Sequence, residues 1–337
     1  MNAVMIIPTG IGCEIGGHAG DATPAAKLIG SCCDKLILHP NVVNASDINE
    51  MPANALYVEG SVLDRFLEGT IELKEVYSNK ILLVVNSPIK PETVNAVSAA
   101  RATIGADIKI VELDTPLRMI GEFKNGIATG DVIGWEELVE QIWQYDFEAL
   151  AIASVIEVRD EVCLEYFKNG GVNPWGGVEA KASKLIASKL DMPVAHAPIE
   201  GSSIETQDKV FNSIVNPAMA AEAISNCYLH CVLKGLHKAP RIGKGLSVED
   251  VGVMVSPHRC WGRPHYACVE AGVPIIVVKE NGCVLNQTPS GEVVFVENYL
   301  EAAGLISCMK AGIMPESVRR PLKETVVIRR DKTNANR

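Results

Sequence analysis

Short runs of Val, Ile, Leu and Ala with almost no polar residues between them limit this chain's fold more than any other feature. They fall at residues 4–7, 36–38, 55–58, 81–85 and 108–111. A strand with one wet face alternates apolar and polar side chains. An unbroken apolar run suits a strand covered on both faces. Helical stretches separate the runs. Thr23 reads as an N-cap with Pro24 at N1, and 91–103 reads as a helix. Strand–helix alternation predicts a parallel, doubly wound sheet with right-handed crossovers.

The middle of the chain reads differently. Residues 121–134 carry four glycines and read as a loop. A helix is expected over 135–145, a strand over 149–155 and irregular chain over 169–177. A second alternating series follows, with helices over 178–190, 264–271 and 298–309. Its strands fall at 193–197, 251–255, 274–278 and 293–296. The longest helix is expected over 216–236, and 324–330 is a candidate last strand. The expected fold is α/β, with two Rossmann-like domains of mainly parallel sheets facing a cleft. The expected division is 1–160 and 161–330, with a flexible tail at 331–337.

Charge narrows the partners. The 337 residues hold 41 acidic and 31 basic side chains, a net charge of −10. Nucleic-acid binding needs a basic footprint, so nucleic acid is not expected as a partner. No apolar stretch reaches the 18 residues of a membrane helix, so no membrane partner is expected. A homo-oligomer is compatible with this composition. Ten cysteines in so long a chain do not form a small disulfide scaffold. With no signal-like start, a cytoplasmic or organelle-interior location is expected, not secretion.

Ligands of open parallel sheets bind beyond the carboxyl ends of the strands, so the residues that follow each strand carry the functional reading. The first such loop, PTGIGCEIGGHAGDATP, offers Gly10, Gly12, Gly16 and Gly17, with Asp21 at the mouth of a helix. Free N–H groups there suit an anion or carbonyl. The spacing matches neither the dinucleotide fingerprint nor the P-loop. No nicotinamide or nucleotide cofactor is therefore indicated, and the cofactor is left open. The second loop supplies His39, Asn41 and Asn44. The segment NPWGGVEAKASK supplies Asn173, Trp175, Gly176, Gly177, Glu179 and Lys181. His196 and Glu200 leave a later strand as an acid–base pair. The loop SPHRCWGRPHYACVEAG concentrates His258, Arg259, Cys260, Arg263 and His265. Glu280 and Asn281 follow the next strand. No paired-ligand metal motif occurs, although loop histidines could meet around a divalent ion. Cys13 and Cys260 could face each other as a proton-transferring thiol pair.

The segments PTGIGCEIGGHAGDATP, HPNVVNAS, YVEG, NPWGGVEAKASKLIA and SPHRCWGRPHYACVEAGVPIIVVKENG resemble a bacterial and plant family known only as a domain of unknown function. That resemblance spans nearly the whole chain and implies no activity. A shorter likeness, RPHYACVEAGVPIIVVKEN, is similar to two-domain nucleotide-sugar 2-epimerases. Its phosphate turn is replaced here by Cys-Trp-Gly-Arg.

These features lead to an expected enzyme that moves protons on a small polar, anionic metabolite, of isomerase, racemase or lyase type. Arg259 or Arg263 would hold the anion. His258 or His265 would transfer protons with Glu179, Glu200 or Glu280. The alternatives are a nucleotide-sugar enzyme and a non-catalytic metabolite sensor.

Overall fold

The computed structural model describes residues 1–43, 50–199, 210, 212–225, 228–287, 289–291 and 293–328. The fold is α/β with mainly parallel sheets. Six parallel strands form the first sheet: β1 (Asn2–Met5), β2 (Leu36–Leu38), β3 (Ala55–Tyr57), β12 (Val251–Pro257), β13 (Ile275–Val278) and β14 (Val293–Val296). Their order is β14-β13-β12-β1-β2-β3. The middle of the chain builds the second sheet. Its strands β5 (Lys80–Asn86), β6 (Asp107–Leu113), β9 (Ala149–Glu157) and β10 (Val194–Ile199) are parallel. β7 (Arg118–Lys124) joins beside β9 and pairs antiparallel with β8 (Ile127–Ile133). A two-stranded piece, β4 (Leu73–Lys74) with β11 (Arg241–Ile242), lies between the sheets in sequence.

The unbroken apolar runs have a clear cause. In β1, Ala3 and Met5 face one core while Val4 faces another. In β5, Ile81, Leu83 and Val85 join the core of Ala3 and Met5, while Leu82 and Val84 face a third. Alternate side chains leave a strand on opposite faces, and here both faces are buried. The shared core is continuous between the sheets. It takes α1 (Thr23–Cys32) and α10 (Tyr299–Lys310) from the first sheet's cover. It takes α3 (Pro91–Ile104) and α8 (Tyr228–His237) from the second's. α2 (Gly60–Leu67) and α9 (Arg263–Ala271) cover the far face of the first sheet. α4 (Trp135–Ile142) and α6 (Gly176–Leu190) cover the far face of the second.

Five expectations change here. Thr23 is not an N-cap: it is the first residue of α1, after Ala22, and its hydroxyl donates to the Val42 carbonyl. The sheets do not divide at residue 160, because both ends of the chain share the first sheet. Residues 121–134 are not a loop. They belong to the β7–β8 hairpin, whose turn places Asn125 at φ 55° and Gly126 at φ 75°. The helix expected over 216–236 is broken. A 3₁₀ turn at Pro217–Met219 leads into α7 (Ala220–Ile224), and Ser225 is extended before α8 begins. Residues 324–328 form no strand, and 329–337 lie outside the described residues.

Candidate functional site

A cavity of about 480 Å³ lies beyond the carboxyl ends of strands from both sheets. His39 directly follows β2, Glu59 stands two residues beyond β3, and both line it. β10 contributes His196, and the first turn of α6 contributes Glu179. α7 adds Glu222, and Asn173 stands just before α6.

His196 shares a face of the second sheet with Ser154 on β9, beneath α6. Its Nδ1 lies 2.9 Å from Glu179 Oε1 and its Nε2 lies 2.9 Å from Ser154 Oγ. A carboxylate can only accept, so Nδ1 carries a proton, and Ser154 Oγ, which also lies 3.4 Å from Met119 Sδ, is the partner of Nε2. The three side chains stand in the order of a Ser–His–carboxylate triad. The accessibility is reversed, however. The His196 side chain is 1% exposed, that of Glu179 25%, and Ser154 is buried. Glu179 is therefore the most accessible of the three. His196 and Ser154 hold it from behind.

Across from this dyad lies a buried carboxyl. Glu222 Oε2 accepts from the Ala19 N–H at 2.8 Å and the Tyr166 hydroxyl at 2.9 Å. Its Oε1 accepts from Asn173 Nδ2 at 2.9 Å. Burial raises its pKa to about 7, and the Glu179 charge pushes in the same direction. Burial also raises Tyr166 well above its ordinary value, with Glu222 adding to it. Asp21 is pushed up to about 7 by burial, with Glu222 contributing. It accepts from the Gly16 N–H at 2.8 Å. Burial holds Glu59 above the usual carboxylate range and His39 down at about 4. His39 Nδ1 accepts from the Asn41 N–H at 3.2 Å, so the neutral ring keeps its proton on Nε2. The buried Ser225 hydroxyl also lines the cavity, and it has no hydrogen-bond partner among the described residues.

His39, Asn41, Asn173, Trp175, Glu179 and His196 are thus brought together as the sequence predicts. Asn44 and Glu200 lie outside the described residues. The remaining candidates sit elsewhere. Lys181 reaches the Gly130 carbonyl and Asp131 at the surface. Arg263 pairs with Glu68 at 2.6 Å, and Arg259 is exposed at φ 71°. His258 packs edge-on against Phe295. His265 is buried, with Nε2 2.7 Å from Ser256 Oγ and Nδ1 accepting from the Gly262 N–H. Burial holds it near 4. This loop therefore closes the start of α9 and takes no part in the cavity. Glu280 accepts from the Tyr299 N–H. Asn281 braces Ile15 and Tyr299.

The glycine-rich loop also differs from expectation. Its glycines serve close packing. A Cβ on Gly10 would lie 2.9 Å from Gly177 N, and one on Gly17 would lie 2.1 Å from the Cys13 carbonyl oxygen. Gly12 sits at φ 60°. The Gly16 N–H is spent on Asp21. Gly176 donates its N–H to Asn173 Oδ1. Thr9 and Ala19 carry this loop's contribution to the cavity wall. Among the described residues, no three His, Cys, Asp or Glu side chains are arranged to hold a metal ion.

Glu59, Ser154, Tyr166 and Glu222 were not singled out in the sequence. Glu222 carried a usable signal. It is a lone carboxylate in the apolar stretch AMAAEAI, where a charge needs a reason.

Comparison with known proteins settles the kinship. The family described as a protein of unknown function, DUF3326, matches residues 2–319. The chain belongs to this family. It is 34% identical to an uncharacterised lipoprotein of Synechococcus sp. over 342 residues, covering 94% of this chain and 93% of that relative. No solved structure matches the chain. The relative's name, a lipoprotein, contradicts the cytoplasmic or organelle-interior location expected from the sequence, and that expectation is withdrawn.

Proposed function

We propose that this member of the DUF3326 family is an enzyme that moves a proton on a small polar metabolite. The reading rests on two unlike carboxyls lining one cavity. Glu179 is open to the ligand and backed by His196. Glu222 is buried and titrates near pH 7. Such a pair supports a base on one side and a proton donor on the other. Glu179 would remove a proton from the ligand. Glu222 or the Nε2–H of His39 would stabilise the charge that develops. An isomerase, racemase or lyase step fits this arrangement.

The expected anionic substrate is revised. Arg259 and Arg263 stand outside the cavity, while Glu59, Glu92, Glu179 and Glu222 line it. Lys90 also lines it but lies 3.7 Å from Glu92. A neutral polyol, sugar or amine suits that wall better than a carboxylate or phosphate.

The test is a thermal-shift panel of sugars, polyols, amines, carboxylates and phosphates, followed by NMR of each hit in deuterated water. Wild-type protein is expected to exchange a carbon-bound proton of the hit for deuterium. Glu179→Gln should still bind it and lose exchange by on the order of a hundredfold or more. Stabilisation only by anions would overturn the charge argument. Tight binding without exchange would make the protein a sensor.

A further inference from the structure

The first sheet reverses its winding between β1 and β12. From there the chain builds outward through β2 and β3 on one side, and through β13 and β14 on the other. Three thiols gather beyond the strand ends at this reversal. Cys13 follows β1, Cys260 follows β12 and Cys283 follows β13, close enough that each influences another's ionisation. None of them lines the cavity described above.

The backbone brings two of the three side by side. The Glu14 N–H donates to the Gly282 carbonyl at 3.0 Å, and the Val284 N–H donates to the Ile11 carbonyl at 3.0 Å. These two bonds bracket Cys13 and Cys283 in a short bulged pairing, in which Gly12 and Cys13 together stand against Cys283. The Asn281 side chain clamps the same junction through both the N–H and the carbonyl of Ile15 at 2.9 Å. Chains hydrogen-bonded side by side lie about 5 Å apart, within the Cα span a disulfide bridges. Cys13 is 2% exposed, whereas Cys283 is half-buried and reachable.

We propose that Cys13 and Cys283 form a thiol–disulfide exchange site for low-molecular-weight disulfides, with Cys283 attacking and Cys13 resolving. The proposal is independent of the cavity's function. The Cys283 thiolate attacks one sulfur of a disulfide RSSR. A Cys283–SR bond forms, the RS–SR bond breaks, and RS⁻ leaves to take a proton from solvent. Cys13 then gives its proton to solvent and attacks the Cys283 sulfur, expelling the second RS⁻. The dithiol loses two electrons, and RSSR becomes two RSH. The ionisation order agrees. Cys283 is lowered to about 7, first by the adjacent Cys13 thiol and also by the Arg259 charge. Cys13 is held well above its ordinary value, first by Cys283 and then by burial.

The test uses the reduced full chain incubated with oxidised glutathione, followed by non-reducing peptide mass mapping. A Cys13–Cys283 cross-link is expected, and it should persist in Cys260→Ser. Cys13→Ser should stop at a glutathione adduct on Cys283, and Cys283→Ser should form neither product. Alkylation of wild-type Cys283 should show a midpoint near pH 7, displaced upward in Cys13→Ala, which has no side-chain donor. No cross-link in the wild-type protein, or a Cys13–Cys260 link in its place, would overturn the proposal without recourse to any variant.

Discussion

Glu222 shows how a single side chain is set by what surrounds it. Its ordinary value of 4.5 rises to about 7 in the fold, chiefly through burial. The folded chain therefore keeps this proton to higher pH than the unfolded chain does. That contribution to stability is complete below pH 4.5 and is lost as pH rises through about 7. Buried His39 and His265, both lowered to about 4, act in the opposite sense over an overlapping range. The difference between wild type and Glu222→Gln isolates the carboxyl. Urea denaturation from pH 4 to 8 should show the variant gaining on wild type by on the order of 3 kcal/mol as pH rises. Asp21 should titrate lower in that variant, because a neighbouring negative charge has gone. Ser154→Ala leaves the Nε2 of buried His196 without its partner. A loss of about 1–3 kcal/mol is expected by the same denaturation measurement. The residues found at the cavity from sequence lie in polar or glycine-rich stretches, with His39 just after β2, Asn173 and Trp175 just before α6 and Glu179 in its first turn. Ser154 and Glu222 lie inside apolar stretches of a strand and a helix, so neither stood out.

At the scale of elements, the β7–β8 hairpin and α6 are built against each other. A Cβ on Gly177 would lie 2.0 Å from the Ala128 carbonyl oxygen, and one on Gly130 would lie 2.9 Å from Val178 Cβ. Gly126, at the hairpin turn, has nothing within 4 Å. The two kinds of glycine predict different costs. Gly126→Ala should lose only the backbone strain of its positive φ, about 1–2 kcal/mol. Gly177→Ala must push α6 off the hairpin, with a loss of about 3 kcal/mol or more. It should also displace Glu179, two residues on, so ligand binding should fall with stability. Thermal melts of the two variants compare the costs directly. Asn125-Gly126 is a strong hairpin-turn signal, yet the segment reads as a loop. The other glycines hid it. They are there because helix and strand backbones approach closely, and glycine spacing does not distinguish that need from a loop.

The whole molecule is held together by one core that both sheets share. Met5 of the first sheet and Leu83 of the second belong to the same buried cluster, with α8 between the sheets. Asn79, ahead of β5, donates to the Leu236 and Ala239 carbonyls at 2.8 Å and secures the end of α8. A chain cut at residue 160 separates β1, β2 and β3 from β12, β13 and β14. Each fragment then exposes half of a parallel sheet. The fragments 1–160 and 161–337 are expected to be unfolded or aggregated when expressed alone, as judged by NMR dispersion. Co-expression should recover a folded complex. Two well-folded fragments would contradict the shared core.

The sequence alone determined the local layer of this protein. Apolar runs without polar alternation specified strands buried on both faces, whereas capping did not mark the start of α1, which begins at the expected cap, Thr23, itself. Several residues beyond strand ends were legible as candidate ligand contacts, because parallel sheets place sites there. The partners of those residues were decided by the tertiary structure. Whether β12 pairs beside β1 depends on contacts about 250 residues apart, which no local pattern encodes. The same pairing carries the His258–His265 loop away from the cavity and brings Cys283 to Cys13. The second sheet and the helices packed on it set Glu179 against His196 and bury Glu222. Burial and charge proximity set the chemistry of such groups, and both arise only when distant segments pack together.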